Sequence, residues 1–248
     1  MSDLDILFED NHLLVINKPA ELITMGAETG PTLHIHATEY LRKRYNKPGR
    51  AYLGIVSRLD SMTSGVIVMA KTSKAASRLT PQFSGQGKDL ASKTYLAVLE
   101  GCLDAEYGEL VDHVAKNDSA RRMEIVPKQR DGAQLARLRY VCLAATPDAS
   151  LVAVRLLTGR KHQIRLQFAH LSFPVWGDRK YDASNPFESG IALHSWKLEI
   201  THPTLRERVG WSAPLPESWQ KFGKLIPSRR NLVLDKSMEA KLGTPEQR

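Results

Sequence analysis

The 248-residue sequence contains only two cysteines, Cys102 and Cys142, each in strand-like apolar surroundings. Thiols so placed pack as small hydrophobes and do not suggest a disulfide framework or a zinc site. Long hydrophobic runs are missing too: no stretch approaches the ~20 apolar residues that a membrane-spanning helix needs. The first ten residues, MSDLDILFED, are acidic and lack the basic-then-apolar order of a secretory signal. A soluble, cytoplasmic protein that does not engage a membrane is the expectation. Metal-ligand spacing is absent: His34 and His36 are two apart, His162 and His170 eight apart, and neither pair forms an HExxH or CxxC arrangement. SGQGKD at 84–89 is glycine-rich but lacks P-loop spacing and follows a helical segment. A GxSxG nucleophile elbow, internal repeats and low-complexity segments are absent as well. No metal is expected.

What the chain does have is positive charge. Lys and Arg number 35 against 27 acids, a net charge of +8 that favours a polyanionic partner. RKRYNKPGR (42–50) carries five basic residues, and RLLTGRKHQIR (155–165) carries four Lys or Arg plus His162 with no acid. The stretch from Lys221 to Arg248 adds seven basic residues against three acids. A single charge run is usually a solvated face. Three of them, with Tyr45, Tyr95, Phe168 and Trp176 in or between the basic regions, suit RNA better than a membrane surface.

Short apolar runs bounded by polar residues predict strands at 13–19, 52–56, 65–70, 92–101, 150–159 and 191–200. QLARLRYVCLAA (134–145) sets Leu138, Tyr140 and Cys142 against Arg137, Arg139 and Val141, the alternation of a half-buried strand. Helices are expected at 32–45, with Thr32 as N-cap and Leu33, Ile35 or His36, Tyr40 and Leu41 inward, and from Thr72, limited by Pro81. A third runs from about Arg160 to Ser172. Strands that follow one another without crossover helices favour an α+β fold with a mixed, mostly antiparallel central sheet and flanking helices. One catalytic domain over 1–227 is expected, followed by a basic, poorly ordered tail over 228–248, with no separate RNA-binding domain.

Two polar interruptions stand out. Arg58-Leu59-Asp60, followed by Ser61, Thr63 and Ser64, separates two buried strands. Asp, Ser and Thr bond their own backbone, so a capped turn is the plain reading. Thr158-Gly159-Arg160-Lys161-His162-Gln163-Ile164-Arg165 opens a helix and gathers donors at its N-terminus. Such an end binds anions through its free N–H groups, and it also occurs as an ordinary basic helix start. On a helix, Lys161, His162 and Arg165 would share one side, with Ile164 and Leu171 anchoring the other.

These motifs carry a family resemblance. NKPA (17–20), SRLDSMTSGVIVMAK (57–71), KTYLAVLEG (93–101) and LLTGRKHQIRLQFAHLSFPVWGDRKY (156–181) resemble, in order, the motifs of the RluA-type RNA pseudouridine synthases. The resemblance spans about residues 6–200 and implies the pseudouridine synthase catalytic fold without a preceding S4-type domain. It implies an isomerase that detaches uracil from ribose through its N1 and rejoins it through carbon 5, using no cofactor. Asp60 matches the essential aspartate, which attacks ribose carbon 1 or the base, or removes the ribose 2′ proton; the sequence leaves these roles open. Each needs an ionised carboxylate, costly to bury alone, and Arg165 matches the arginine that pairs with it. Tyr95 matches the tyrosine that stacks on the flipped uracil and helps remove its carbon 5 proton, and Arg58 the arginine that holds the nucleotide out of its helix. Arg160, Lys161, His162 and Lys18 are the remaining expected RNA contacts.

The sequence departs from the family pattern twice. Ser57 replaces the histidine of HRLD, and Glu21 stands where KPxG has glycine. Ser57 implies an altered RNA contact, and Glu21 either shifts substrate choice or faces solvent. The expectation is a monomeric enzyme that pseudouridylates rRNA or tRNA. The alternatives are a non-catalytic RNA-binding protein or RNA chaperone on a degenerate scaffold and, more remotely, an unrelated basic hydrolase.

Overall fold

β5 (below) has no polar-apolar alternation because both of its faces are covered, and it shows how the molecule is layered. In the computed structural model, which describes residues 4–26, 30–86, 89–226, 232 and 234–244, eleven strands join in one sheet. They are β1 (Ile6–Glu9), β2 (Leu13–Lys18), β3 (Gly54–Ile55), β4 (Ser64–Ala70), β5 (Ser92–Glu100), β6 (Tyr107–Asn117), β7 (Arg122–Ile125), β8 (Gln134–Thr146), β9 (Ala149–Leu156), β10 (Leu193–Thr201) and β11 (Arg208–Ser212). The helices are α1 (Leu33–Arg44), α2 (Ser73–Ser84), α3 (Gln163–His170) and α4 (Lys236–Leu242). Strand order is β1-β2-β4-β10-β5-β9-β8-β6-β7, with β3 on β4 and β11 on β10. Only β4 and β10 run parallel. The structure is the expected α+β fold, mixed and mostly antiparallel.

Tyr95, Ala97 and Leu99 of β5 face one core layer with Val154, Ile164 and Phe168. Leu96 and Val98 face the opposite layer with Trp219, Phe222 and Leu242. At the other end of the sheet, α2 covers Val15, Val66 and Val68 while α1 covers Ile16, Ile67 and Met69. Thr32 caps α1 by accepting from the Ile35 N–H, and Thr72 caps α2 through the Ala75 N–H.

The β4–β10 junction requires Gly65. Its φ is 112° and a Cβ there would lie 2.2 Å from the Ser195 carbonyl oxygen, so a side chain would force the two strands apart. Ser195 is opposite both Gly65 and Tyr95. The motif glycine thus sets Tyr95 two strands from the segment that follows Asp60.

Several expectations are corrected. Only Gly54–Ile55 of 52–56 pairs as a strand, and Tyr52 is exposed. On α1 the inward residues are Leu33, Ala37 and Leu41, an i,i+4 series, while Ile35 is exposed. Pro81 lies in the last turn of α2 without shortening it, and Gly85 ends the helix at φ 78°. α3 begins only at Gln163, because His162 takes φ 54°. Lys161 and His162 therefore do not share a helix face with Arg165, and Leu171 is exposed, not an anchor. Phe168 is core, not an RNA-stacking ring.

The tail expected to be poorly ordered instead forms α4 within the described residues. Asp235 caps it, Leu242 is fully buried, and Glu239 pairs with Arg155 at 2.8 Å. Residues 228–231, 233 and 245–248 of that expectation lie outside the described residues.

Candidate active site

Asp60 lies on the loop between β3 and β4, and three neighbouring segments fix that loop's backbone. The Thr63 N–H closes a turn onto the Asp60 carbonyl at 3.1 Å. Thr24 Oγ1 donates to the Leu59 carbonyl at 2.9 Å and accepts its N–H at 3.3 Å. The Ile191 N–H donates to the Met62 carbonyl at 3.2 Å. From beneath, Lys18 Nζ donates to the carbonyls of Pro19, Leu22 and Ser61 at 2.8, 2.9 and 3.1 Å. The turn is real, but it is closed by backbone, and of its hydroxyls Ser64 Oγ ties it to a distant strand, meeting His194 Nδ1 at 2.8 Å.

The Asp60 side chain is 27% exposed and faces an arginine held from behind. Arg165 Nη1 donates to Asp60 Oδ2 at 3.3 Å, while its Nε and Nη2 donate to Asp178 Oδ2 and Oδ1 at 2.6 and 2.8 Å. Burial opposes the Arg165 charge, but hydrogen bonding and charge from Asp178, then from Asp60, raise it above its ordinary value. A bidentate pair fixes the guanidinium plane, so Asp178 determines where Arg165 presents its remaining donor. Its ring neighbour is Tyr181, 5.2 Å from the guanidinium carbon.

These groups open into a cleft of about 310 Å³. Tyr95, Arg58, Ser57, Lys93 and His162 line it with Asp60 and Arg165. Tyr95 is buried; burial raises its phenol, partly offset by a hydrogen bond with Ser195, and the Asp60 charge raises it further. The group therefore remains a neutral phenol. Arg58 is exposed at the rim, and Lys161 is exposed in the turn that precedes α3. Arg160 Nε donates to the Leu135 carbonyl at 2.8 Å, which braces the turn against β8. Among the described residues no three His, Cys, Asp or Glu side chains are grouped as metal ligands would be.

Asp60, Tyr95 and Arg165, expected from sequence to work together, thus meet in one cleft lined also by Arg58, Arg160 and His162, while Lys161 does not line it. Lys18 is the exception. It was expected to contact RNA, yet it is fully buried and points into the loop's carbonyls. The two departures also find places. Ser57 lines the cleft. Glu21 takes φ 66°, the left-handed conformation for which glycine is suited, and its carboxylate accepts the Gly190 N–H at 3.2 Å.

The sequence pattern described as RNA pseudouridylate synthase matches residues 12–170. The chain belongs to this family. An RNA pseudouridine synthase of Bacillus subtilis, YhcT, is 36% identical over 218 residues, covering 86% of this chain and 69% of that protein. The ribosomal large subunit pseudouridine synthase D of Xanthomonas campestris is 34% identical over 236 residues, covering 88% and 68%. Among solved structures, human RNA pseudouridylate synthase domain containing 4 superposes with a TM-score of 0.73 at 23% identity, covering 90% of this chain and 93% of that one. That likeness concerns the fold. The chain is an RNA pseudouridine synthase, an isomerase, and the non-catalytic alternative gives way.

Within this synthase, sequence reasoning passed over Asp178 and Tyr181. Both lie in the GDRKY end of the last motif, and a buried arginine's need for a second carboxylate is the signal that points to Asp178. Thr24 gave no such signal, because its partner Leu59 is 35 residues away.

Proposed function

We propose that the synthase isomerises particular uridines of structured rRNA or tRNA in the Asp60 cleft, acting as a monomer in the cytoplasm through its domain at 1–227. The observation that carries this reading is the Asp178–Arg165–Asp60 chain, which ends as a partly exposed carboxylate at the floor of the cleft. Arg165 holds Asp60 and aims it, and Asp60 reacts with the target nucleotide. Tyr95, a neutral phenol, presents a stacking face to the uracil and a donor, not a base. Arg58 at the rim occupies the space of the extracted nucleotide and lowers the cost of flipping. Lys161 and Arg160 flank the entrance, and Lys161 supplies charge for backbone phosphates. Relatives named as ribosomal large subunit synthases make large-subunit rRNA the first substrate to try.

The test is tritium release from RNA transcripts labelled at uracil carbon 5. Asp60→Asn and Asp60→Ala are expected to abolish release while RNA affinity stays within a few-fold of wild type. Turnover retained in either variant would remove Asp60 from the reaction.

A further inference from the structure

His162 stands in the basic turn but is held like a component of the reacting site. Its φ of 54° is a left-handed conformation that a residue with a Cβ adopts at a cost. Its side chain is only 10% exposed and its ring meets Tyr181 edge-on, with centroids 5.7 Å apart. His162 Nδ1 lies 2.9 Å from Tyr181 Oη, which also accepts the Met123 N–H at 3.1 Å. With the Met123 N–H on one lone pair, the Tyr181 hydroxyl has Nδ1 within reach as the acceptor for its proton, an arrangement that puts the hydrogen of the neutral ring on Nε2. Nε2 is 3.8 Å from Asp60 Oδ2, the same oxygen that Arg165 Nη1 approaches at 3.3 Å. Among the described residues no side chain hydrogen-bonds Asp60 Oδ1.

We propose that His162 is a positioning residue, fixed by Tyr181 as its Nε2–H tautomer, which with Arg165 holds Asp60 by Oδ2 so that Oδ1 meets the nucleotide. The inference rests on Asp60 being the reacting carboxylate. The 3.8 Å contact is the kind that shortens when substrate closes the site. Neutrality matters here: an imidazolium would place a second full cation on Oδ2 and blunt the carboxylate, whereas a neutral N–H orients it. The surroundings keep the ring neutral. Burial first, then Arg165, Lys161 and Lys180, outweigh the pull of Asp60 and bring the imidazole down to about 4. With Ser57 in place of a histidine, His162 is the only imidazole lining the cleft among the described residues.

Nitrogen-15 NMR of the histidine-labelled full chain tests the arrangement without any substrate. The expected result is a neutral Nε2–H ring for His162 from pH 7 down to about 5, changing to a tautomer mixture in Tyr181→Phe. An imidazolium at pH 7, or the Nδ1–H tautomer, overturns the proposal. The second arm is single-turnover tritium release from a 5-tritiated large-subunit rRNA transcript, with binding measured in parallel. His162→Ala is expected to slow the step roughly 10- to 100-fold at saturating RNA, with affinity within about twofold. His162→Gln, whose amide nitrogen takes the place of Nε2, is expected to recover most of the rate, and His162→Asn is not. A His162→Ala that loses affinity but keeps its saturated rate would make the residue an RNA contact. A Gln variant as slow as Ala would show that the donor is not what matters. A wild type silent on this transcript would correct the choice of RNA, leaving the tautomer to decide the proposal.

Discussion

At the scale of single residues, the most informative side chain is one with no exposed surface. Lys18 has its ammonium in a nest of three carbonyls, two of its own loop and one, Ser61, directly after Asp60. Burial pulls its pKa down to about 7, partly opposed by the Asp60 charge. In its ammonium form its three protons match its three acceptors, and in that form it works as a staple. Lys18→Met fits the volume but leaves three buried carbonyls without a donor, at a cost of about 1–3 kcal/mol for each that finds no water. A loss of about 3 kcal/mol in urea unfolding is expected, with a slower single-turnover rate because the Asp60 turn loosens. Stability unchanged in that variant would show that the carbonyls are satisfied some other way. The sequence made Lys18 look like an RNA contact because lysines are rarely buried, and no local pattern reveals three carbonyls brought together by a loop. Glu21 is similar. Its place in a glycine position was legible; its left-handed backbone, and hence the reason for the glycine, was not.

At the scale of elements, segments buried on both faces or strictly alternating were readable, and those ended by tertiary contacts were not. β5 and β9 read clearly because, Lys93 and Arg155 apart, every residue between their ends is apolar or small and buried. β6, with polar residues on its open face, passed unnoticed although it is 11 residues long. α3 read too long because nothing local announces the left-handed His162. α4 was missed because a seven-residue helix has weak periodicity of its own, and its stability comes from packing. It covers the layer containing Val141, Ala153 and Trp219 with Leu242, and it supplies Glu239 Oε2 and the Gly243 carbonyl to Arg155. Truncation after Leu234 removes that cover and leaves Arg155 with Thr94 alone. Losing one buried leucine, part of a methionine and two partners for a buried guanidinium amounts to about 3 kcal/mol. For a chain of this size that is a fall of roughly 6–12 °C in Tm by calorimetry. Tritium release at room temperature is expected to change little, since the Asp60 loop touches none of these groups. An unchanged Tm would show that α4 is not docked in solution.

For the whole molecule, the grouping of Asp60, Tyr95 and Arg165 was legible from motif order, but the sheet that assembles it was not. Ser64 and His194 touch across 130 residues, and the single parallel pairing, β4 with β10, joins the two ends of the motif region. That contact carries a consequence for the molecule as a unit. His194 is fully buried, with Nδ1 on Ser64 Oγ and Nε2 on the Ala213 carbonyl. Burial holds its pKa down to about 4, only weakly opposed by the Ala213 hydrogen bond, and His162 is likewise down to about 4. An unfolded histidine titrates near 6.5, so between pH 4 and about 6.5 the unfolded chain binds more protons than the folded one. The contribution of the two histidines is therefore complete above pH ~6.5 and is lost as pH falls toward 4, by up to about 3 kcal/mol for each histidine. The net charge of +8 adds self-repulsion in the same direction as acids become protonated. Glu9 and Asp10 both have lowered pKa values, each despite the opposing effect of burial: hydrogen bonds from Lys71 lead for Glu9, and the His12 and Leu13 N–H groups for Asp10. Their contribution is lost only at more acid pH, below the histidine window. In urea midpoints measured from pH 7.5 to 4.5, the histidine fall should thus set in near pH 6.5, well before carboxylates titrate, below the window in which Lys18 takes up its proton. His194→Gln, which keeps a donor in the place of Nε2 but cannot take up a proton, should start less stable and fall more gently through that window, by about one proton less in slope. A wild-type midpoint flat down to pH 5 would mean that the junction between β4 and β10 opens to water, and that the sheet holding Asp60 opposite Tyr95 is less closed than its packing shows.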